Sequence, residues 1–326
     1  MAWSLPFSGQ RSIITDAYQR MALTISVDKL DDQHFLPWFM AVTKENMLHL
    51  SIIVSDKYCI NTKTTVTLDK LNTFAKAIDA IEKSFVPSED DSSGNSSTVF
   101  RPKRLFISIQ FSHQAIEFAQ YLTTLSFSID LWVVVVSGDK PTALQNLQAI
   151  HNTAAAAQHP SYLGLGGWSD AIELDWYLTK IPYDMLKFVH FGELRLPDLQ
   201  LHCIELAHTL GYNSMISVTA ETLRADNSTS TAVLSDLASQ YEVSVETFLY
   251  KCLLQLGYVV GVSAEDTSLA HVQQHLSRLC HPFVHRKDFV SSNRVVSLLV
   301  RTEHMAVLTD ASEQWEARVD DAKWEE

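Results

Sequence analysis

Cysteine is scarce in this chain of 326 residues. Its four copies, Cys59, Cys203, Cys252 and Cys280, are widely spaced and include no CxxC pair. A disulfide framework and a thiolate zinc site are therefore not expected, and a reducing compartment, the cytoplasm, is the simpler setting. Basic residues are also in deficit, and the net charge is −13. Nucleic acid and anionic membranes both attract clustered Lys and Arg, so neither is expected as a partner. The two basic patches, Arg101-Pro102-Lys103-Arg104 and His285-Arg286-Lys287, are short and read as solvated surface. The N-terminal MAWSLPFSGQR lacks the apolar run of a signal peptide. No stretch reaches the roughly 20 apolar residues that span a bilayer. No Gly-x-Ser-x-Gly elbow or Cys/His pairing supports covalent catalysis. His202 and His208 do not share a helix face, and Pro282 interrupts the spacing of His281 and His285, so no metal is expected.

Apolar residues, by contrast, are plentiful: the hydrophobic fraction of 46% is ample for a large core. Leu131 to Val136 is an unbroken apolar run containing four valines, followed by the polar Ser137-Gly138-Asp139-Lys140. β-branched residues favour the extended backbone, and a run with no polar alternation suggests a strand covered on both faces, as in a parallel sheet. In parallel α/β folds the chemistry sits at the C-terminal ends of such strands.

Strands and helices alternate around this run. Leu105–Ile109, Tyr162–Leu165, Leu186–Phe191, Met215–Val218 and Tyr258–Val262 read as strands, and Ser112–Leu125 and Thr142–Ala157 as helices. Further helices are expected from Pro197 to Gly211, over Ala232–Gln240, from a Ser244 cap to Gly257, and over Leu269–Leu279. Residues 1–85 are less regular, with strands placed at Ala22–Val27 and Leu48–Val54. Repeated strand–helix units imply a parallel sheet, and their number suits a closed TIM-type (β/α)8 barrel. One barrel domain over residues 1–318 is expected, with a mobile polar loop at 88–99 and a charged tail at 319–326.

The order of several short motifs is similar to that of the aldo-keto reductases. The longest is LASQYEVSVETFLYKCLLQLGYVVGVSAEDTSLAHVQQHL, Leu237 to Leu276. YLGLGGWSD, HCIELAHTLGYNSMISVTA and the Ile129-Asp130-Leu131 start of the valine strand match further segments of that family in order. The resemblance covers roughly residues 104–280 and implies a reductase barrel using a Tyr acid tuned by Lys and Asp, with a His at the carbonyl. Carried across position by position, it puts Tyr58 at the Tyr, Ile53 at the Asp, Gln110 at the Lys and Val135 at the His. Gly166-Gly167 fall at the Ser-Asn pair that holds the nicotinamide, and His190 near the following Gln. The segment expected to grip the 2′-phosphate carries Glu265 and Asp266 and no basic residue but His271.

These substitutions lead to the expectation of a redox-inactive barrel with no cofactor. It would bind a hydrophobic small molecule and catalyse a non-redox cyclisation or isomerisation, even a pericyclic step of secondary metabolism. Gln110, His190 and Tyr58 are the candidate hydrogen-bonding residues, and Val135, Ser137, Trp168 and Ser217 the candidate pocket residues. Two alternatives stand beside it. One is a scaffold subunit with a protein partner, resembling the modifier subunit of glutamate–cysteine ligase. The other is a divergent NADPH-dependent reductase.

Overall fold

In the computed structural model, residues 21–30, 49–59, 64–85, 105–157, 161–167, 171–182, 185–193, 210–217 and 258–263 are described, with scattered positions at 35–39, 207 and 235–250. Eight parallel strands close a barrel in sequence order. They are β1 (Met21–Ser26), β2 (His49–Ile53), β3 (Phe106–Ser112), β4 (Leu131–Val135), β5 (Tyr162–Gly166), β6 (Leu186–Glu193), β7 (Asn213–Ser217) and β8 (Val259–Ser263). The β1–β8 pairing, Met21 opposite Val260 through Thr24 opposite Ser263, shuts the sheet. The barrel inferred from the alternating pattern is thus the one observed. The loop at 88–99 and the tail at 319–326 lie outside the described residues.

Helices on the described part of the wall are α1 (Asp56–Cys59), α2 (Thr64–Phe85), α3 (Ile116–Leu122), α4 (Lys140–Ala156) and α5 (Ala171–Lys180). The long α2 falls in the region where sequence periodicity suggested only two strands. Its buried residues, Leu71, Phe74, Ala75, Ile78 and Ile81, nonetheless follow the 3.6-residue period of an amphipathic helix. The polar turn after the valine strand is a helix start: Asp139 Oδ2 accepts from Thr142 N at 3.0 Å and Thr142 Oγ1 at 2.7 Å, capping α4. Those bonds hold the Asp139 carboxyl below its usual range. Ser244 caps as the sequence suggested, accepting from Thr247 N at 3.2 Å.

The two-residue period of the strands sorts their side chains into two cores. Leu23, Ile25, Leu50, Ile52, Ile107 and Ile109 face the helices, with Trp132 among them. Trp132 stacks edge-on with Phe111, which meets Phe118 of α3 in the same way. The barrel interior holds a second, smaller cluster of Ala22, Phe106, Leu131, Val133, Phe188, Met215 and Val259. Thr24, His49, Ser51, Ser108 and His190 share that inward parity and are buried polar groups. His49 satisfies itself by a 2.8 Å hydrogen bond with Ser108 Oγ and stacks edge-on against Phe106. At the foot of β4, Asp130 Oδ2 accepts from Ile107 N at 2.8 Å, which fastens the Ile-Asp-Leu motif to β3.

β5 contributes two glycines to the interior. A Cβ at Gly164 would stand 2.9 Å from the Phe188 Cβ and 3.0 Å from its carbonyl oxygen. Phe188 occupies that space, so β5 must be bare there. Gly164→Ala should therefore destabilise the barrel by about 1–3 kcal/mol through overpacking. The check is the midpoint of denaturant unfolding, which should fall with little change in slope.

Candidate functional site

A cavity of about 590 Å³ opens at the C-terminal end of the sheet between β2, β3 and β4. The end of β2 and the turn after it contribute Ile53, Val54, Ser55, Asp56 and Lys57. β3 and β4 contribute Gln110, Phe111, Ser112 and Val135. Its size is that of a small-molecule pocket, and its position is the face where TIM-type barrels do their chemistry. Sequence registers fix the wall: Ile53 lies opposite Gln110, and Ser112 opposite Val135, which in turn lies opposite Gly166.

Gln110 is the centre of this wall. It is the fifth residue of β3, not the residue just past a strand ending at Ile109, because β3 continues to Ser112. Its side-chain Oε1 is hydrogen-bonded to His190 Nδ1 across the barrel. The bond passes β5 where Gly166 has no side chain: a Cβ there would lie 2.9 Å from Val133 Cγ1 and 3.5 Å from Gln110 Oε1. His190 is 2% exposed, and burial lowers its pKa from 6.5 to about 4. The imidazole is therefore neutral at physiological pH. An amide oxygen only accepts, so Nδ1 carries the hydrogen and Nε2 is the bare acceptor. Nε2 is buried and has no protein partner.

Lys57 is the cation of the mouth. It sits over the Tyr58 ring, with Nζ 4.6 Å from the ring centre and 3.6 Å from Asp28 Oδ2. A hydrogen bond to the Tyr58 side chain, and then the charge of Asp28, holds the ammonium above its ordinary range. Tyr58 itself is half-buried in α1, packs against the outer core and does not line the cavity. Its carbonyl accepts from Thr67 Oγ1 at 3.0 Å, which ties α1 to α2.

Of the residues singled out from sequence, Gln110 and His190 are brought into contact, and Val135 lines the cavity beside Gln110. Ser137 is exposed in the turn that precedes α4 and is not among the lining residues. Ser217 ends β7 opposite Gly261, and Trp168 lies outside the described residues. Lys57 was passed over, although it stands one place before Tyr58 just past the end of β2. His113 was passed over as well. It is buried in the turn after β3, with its backbone N–H bonded to the Val135 carbonyl at 2.9 Å and Nδ1 3.3 Å from the same oxygen. A histidine from the turn after the neighbouring strand thus supports the Val135 backbone. Among the described residues no cluster of three or more His, Cys, Asp or Glu side chains is placed to hold a metal ion, and no helix is long and apolar enough to cross a membrane.

No protein-family model matches the sequence, and a search of curated proteins finds no match. Solved structures do match. An aldo-keto reductase from a Medee basin deep-sea metagenome library, MGS-M4, is 10% identical, with a TM-score of 0.58 over 86% of this chain and 90% of that one. The thermostable aldo-keto reductase Tm1743 bound to the inhibitor epalrestat is 12% identical, with a TM-score of 0.59 over 86% and 94%. The fold is that of the aldo-keto reductases. An aldo-keto reductase from Klebsiella pneumoniae in complex with NADP and acetate is 11% identical, with a TM-score of 0.55 over 85% and 91%. A further Klebsiella pneumoniae structure, at 10% identity and a TM-score of 0.54, is in complex with NADPH.

These last two structures correct the expectation of no cofactor: aldo-keto reductase barrels of this shape hold NADP and NADPH. That expectation leaned on Glu265 and Asp266, which lie outside the described residues. At the end of β5 Gly167 presents backbone without a side chain, where a flat nicotinamide ring could lie. The space beside Gly166 is taken by Val133 and Gln110, and His190 Nε2 is buried away from the cavity.

The depressed pKa of His190 has a consequence for stability. Between pH 6.5 and about 4 the unfolded chain binds a proton at this residue that the folded chain does not. Stability therefore rises with pH across that window and is fully present above it. The loss on acidification should be on the order of 3 kcal/mol at this residue. Unfolding midpoints measured from pH 7 to pH 4 should show this slope, and His190→Asn should flatten it.

Proposed function

We propose that the protein is a divergent NADP(H)-dependent carbonyl reductase acting on apolar aldehydes or ketones at the mouth of the barrel. The observation that carries this reading is the cavity at the C-terminal end of the barrel, whose polar lining is the Gln110 amide, the Ser55 and Ser112 hydroxyls, the Asp56 carboxylate and the Lys57 ammonium. Ile53, Val54, Phe111 and Val135 supply the apolar wall of the same cavity. Gly167 at the end of β5 would border the nicotinamide, which supplies a hydride when bound.

The residues of the chain then have distinct tasks. Gln110 donates an N–H to the carbonyl oxygen and orients it. Lys57 is protonated across the neutral range as an ordinary lysine is, and its bond to Tyr58 raises its pKa further. A strongly held proton makes a poor acid, so Lys57 acts as a fixed positive charge for the developing alkoxide. Ser55, Asp56 and Lys57 are exposed at the rim, so water reaches the alkoxide and returns the proton. Tyr58 holds the Lys57 ammonium in place rather than meeting the substrate.

A second reading is favoured by Ile53, Gln110 and Val135 at the positions where the family has Asp, Lys and His. With that machinery replaced by apolar and neutral groups, the same cavity would fold an apolar carbonyl compound for a cyclisation or isomerisation, with the nicotinamide serving as a wall. Proximity supplies much of the rate in such reactions, on the order of 7–11 kcal/mol at best.

Titration with NADPH, followed by tryptophan fluorescence and thermal unfolding, tests the cofactor. At a concentration about 100 times Kd the folded state should gain about 2.7 kcal/mol. 4-Nitrobenzaldehyde should then consume NADPH, and Lys57→Met should lower kcat/KM about 100-fold while leaving NADPH affinity intact. Absence of NADPH binding overturns the reductase. Binding without consumption of NADPH by any apolar carbonyl compound shifts the balance to the second reading.

A further inference from the structure

Among the described interior polar groups, His49 and Ser108 bond to each other between the adjacent strands β2 and β3. The Gln110–His190 pair differs in reach and in consequence. It joins residues 80 apart in sequence, crosses the gap left by Gly166, and ties a fully interior ring to a side chain that lines the cavity. We propose that His190 is a positioning residue whose Nδ1–H captures the oxygen of the Gln110 amide and thereby turns its N–H group toward the cavity as a fixed donor to a neutral carbonyl oxygen.

Three features support this assignment. A glutamine amide free to rotate offers either an oxygen or an NH2 group, and the two ends differ only in hydrogens. A donor partner on the oxygen removes that ambiguity, and His190 Nδ1–H is such a donor. Burial keeps the ring neutral down to about pH 4, so it carries one N–H, and the bond to Gln110 places that hydrogen on Nδ1. Val135 and Ile53 stand beside Gln110 in the wall and have no hydrogen bond to offer its NH2 group. A ligand carbonyl oxygen satisfies that donor. A carboxylate would have to leave water for a site with no charge at Gln110, so a neutral carbonyl is the better match.

The inference rests on the proposed carbonyl substrate but not on the cofactor, and its test uses neither turnover nor NADPH. The probes are 4-fluoroacetophenone and 4-fluoroethylbenzene, which differ in the carbonyl and are followed by fluorine NMR. The wild type should bind the ketone about tenfold more tightly than the hydrocarbon, the worth of one good hydrogen bond. Gln110→Leu and His190→Leu should each erase that preference while leaving the hydrocarbon affinity unchanged, and the double variant should lose nothing more. His190→Asn, which keeps an N–H near the place of Nδ1, should restore most of the preference. Nitrogen NMR of histidine-labelled protein should show His190 as the Nδ1–H tautomer in the wild type.

A ketone preference that survives His190→Leu overturns the proposal, as does equal weakening of both probes, which would mark a purely structural role. An Nε2–H tautomer in the wild type overturns it too. Should His190→Leu fail to fold, Gln110→Leu, His190→Asn and the tautomer decide by the same criteria. Ketone selectivity without NADPH binding would leave this inference standing and remove the reductase. NADPH binding without ketone selectivity would do the reverse.

Discussion

Eight strands enclose a space that side chains just fill, so a large group entering from one strand needs a small one beside it. In this barrel β5 is the strand that yields. Gly164 gives way to Phe188 in the interior cluster, and Gly166 gives way to the bond between Gln110 and His190. The two positions are one inward step apart, so a single strand provides both the packed floor and the polar layer above it. The register of β6 slips between Leu163 and Gly164 on one side and between His190 and Glu193 on the other. Such irregularities re-aim side chains at barrel rims. Here they bracket the segment that carries Phe188 and His190.

The barrel was legible in the sequence because its strands are short apolar runs with distinct ends. The valine strand and the Ile-Asp-Leu start of it each carry a local cause that the structure reproduces, whereas the Asp139 cap of α4 reads in sequence only as a polar turn. Gln110 and His190 were legible singly, through the resemblance that sets one at the position of a lysine and the other near that of a glutamine. Their contact was not, since it depends on the stagger of four strands and on a glycine that neither residue adjoins in sequence. Lys57 escaped notice for another reason. Attention to a tyrosine at a fixed spacing passes over its neighbour, and only the turn into α1 shows that the lysine faces the cavity while the tyrosine packs against the core. The long α2 was missed although its apolar stripe is regular and strands expected at Leu48–Val54 and Leu105–Ile109 frame it.

The charged groups of the cavity lining, Asp56 and Lys57, lie at its exposed rim. At the floor Gln110 and Ile53 are paired across β2 and β3. An ion pair buried there would be costly unless every remaining hydrogen bond were met, and a neutral amide opposite an alkyl group avoids that cost. The positive charge sits at Lys57, where solvent and Asp28 share the burden of holding it.

This division bears on selectivity. A cation at the floor draws anionic and neutral ligands alike, whereas an amide donor among Ile53, Phe111 and Val135 rewards a carbonyl and gives a carboxylate little return for its lost water. The cation at the rim acts through solvent, so its effect on binding weakens as salt is added. Depth in the cavity, on the proposed reading, separates two functions that one buried charge would combine: neutral recognition below, from Gln110 held by His190, and electrostatic stabilisation above, from Lys57 held by Tyr58. On the proposed reading, each ligand-facing group owes its orientation to a partner that does not line the cavity. Sequence comparison of the cavity-lining residues alone would therefore miss half of what sets the site.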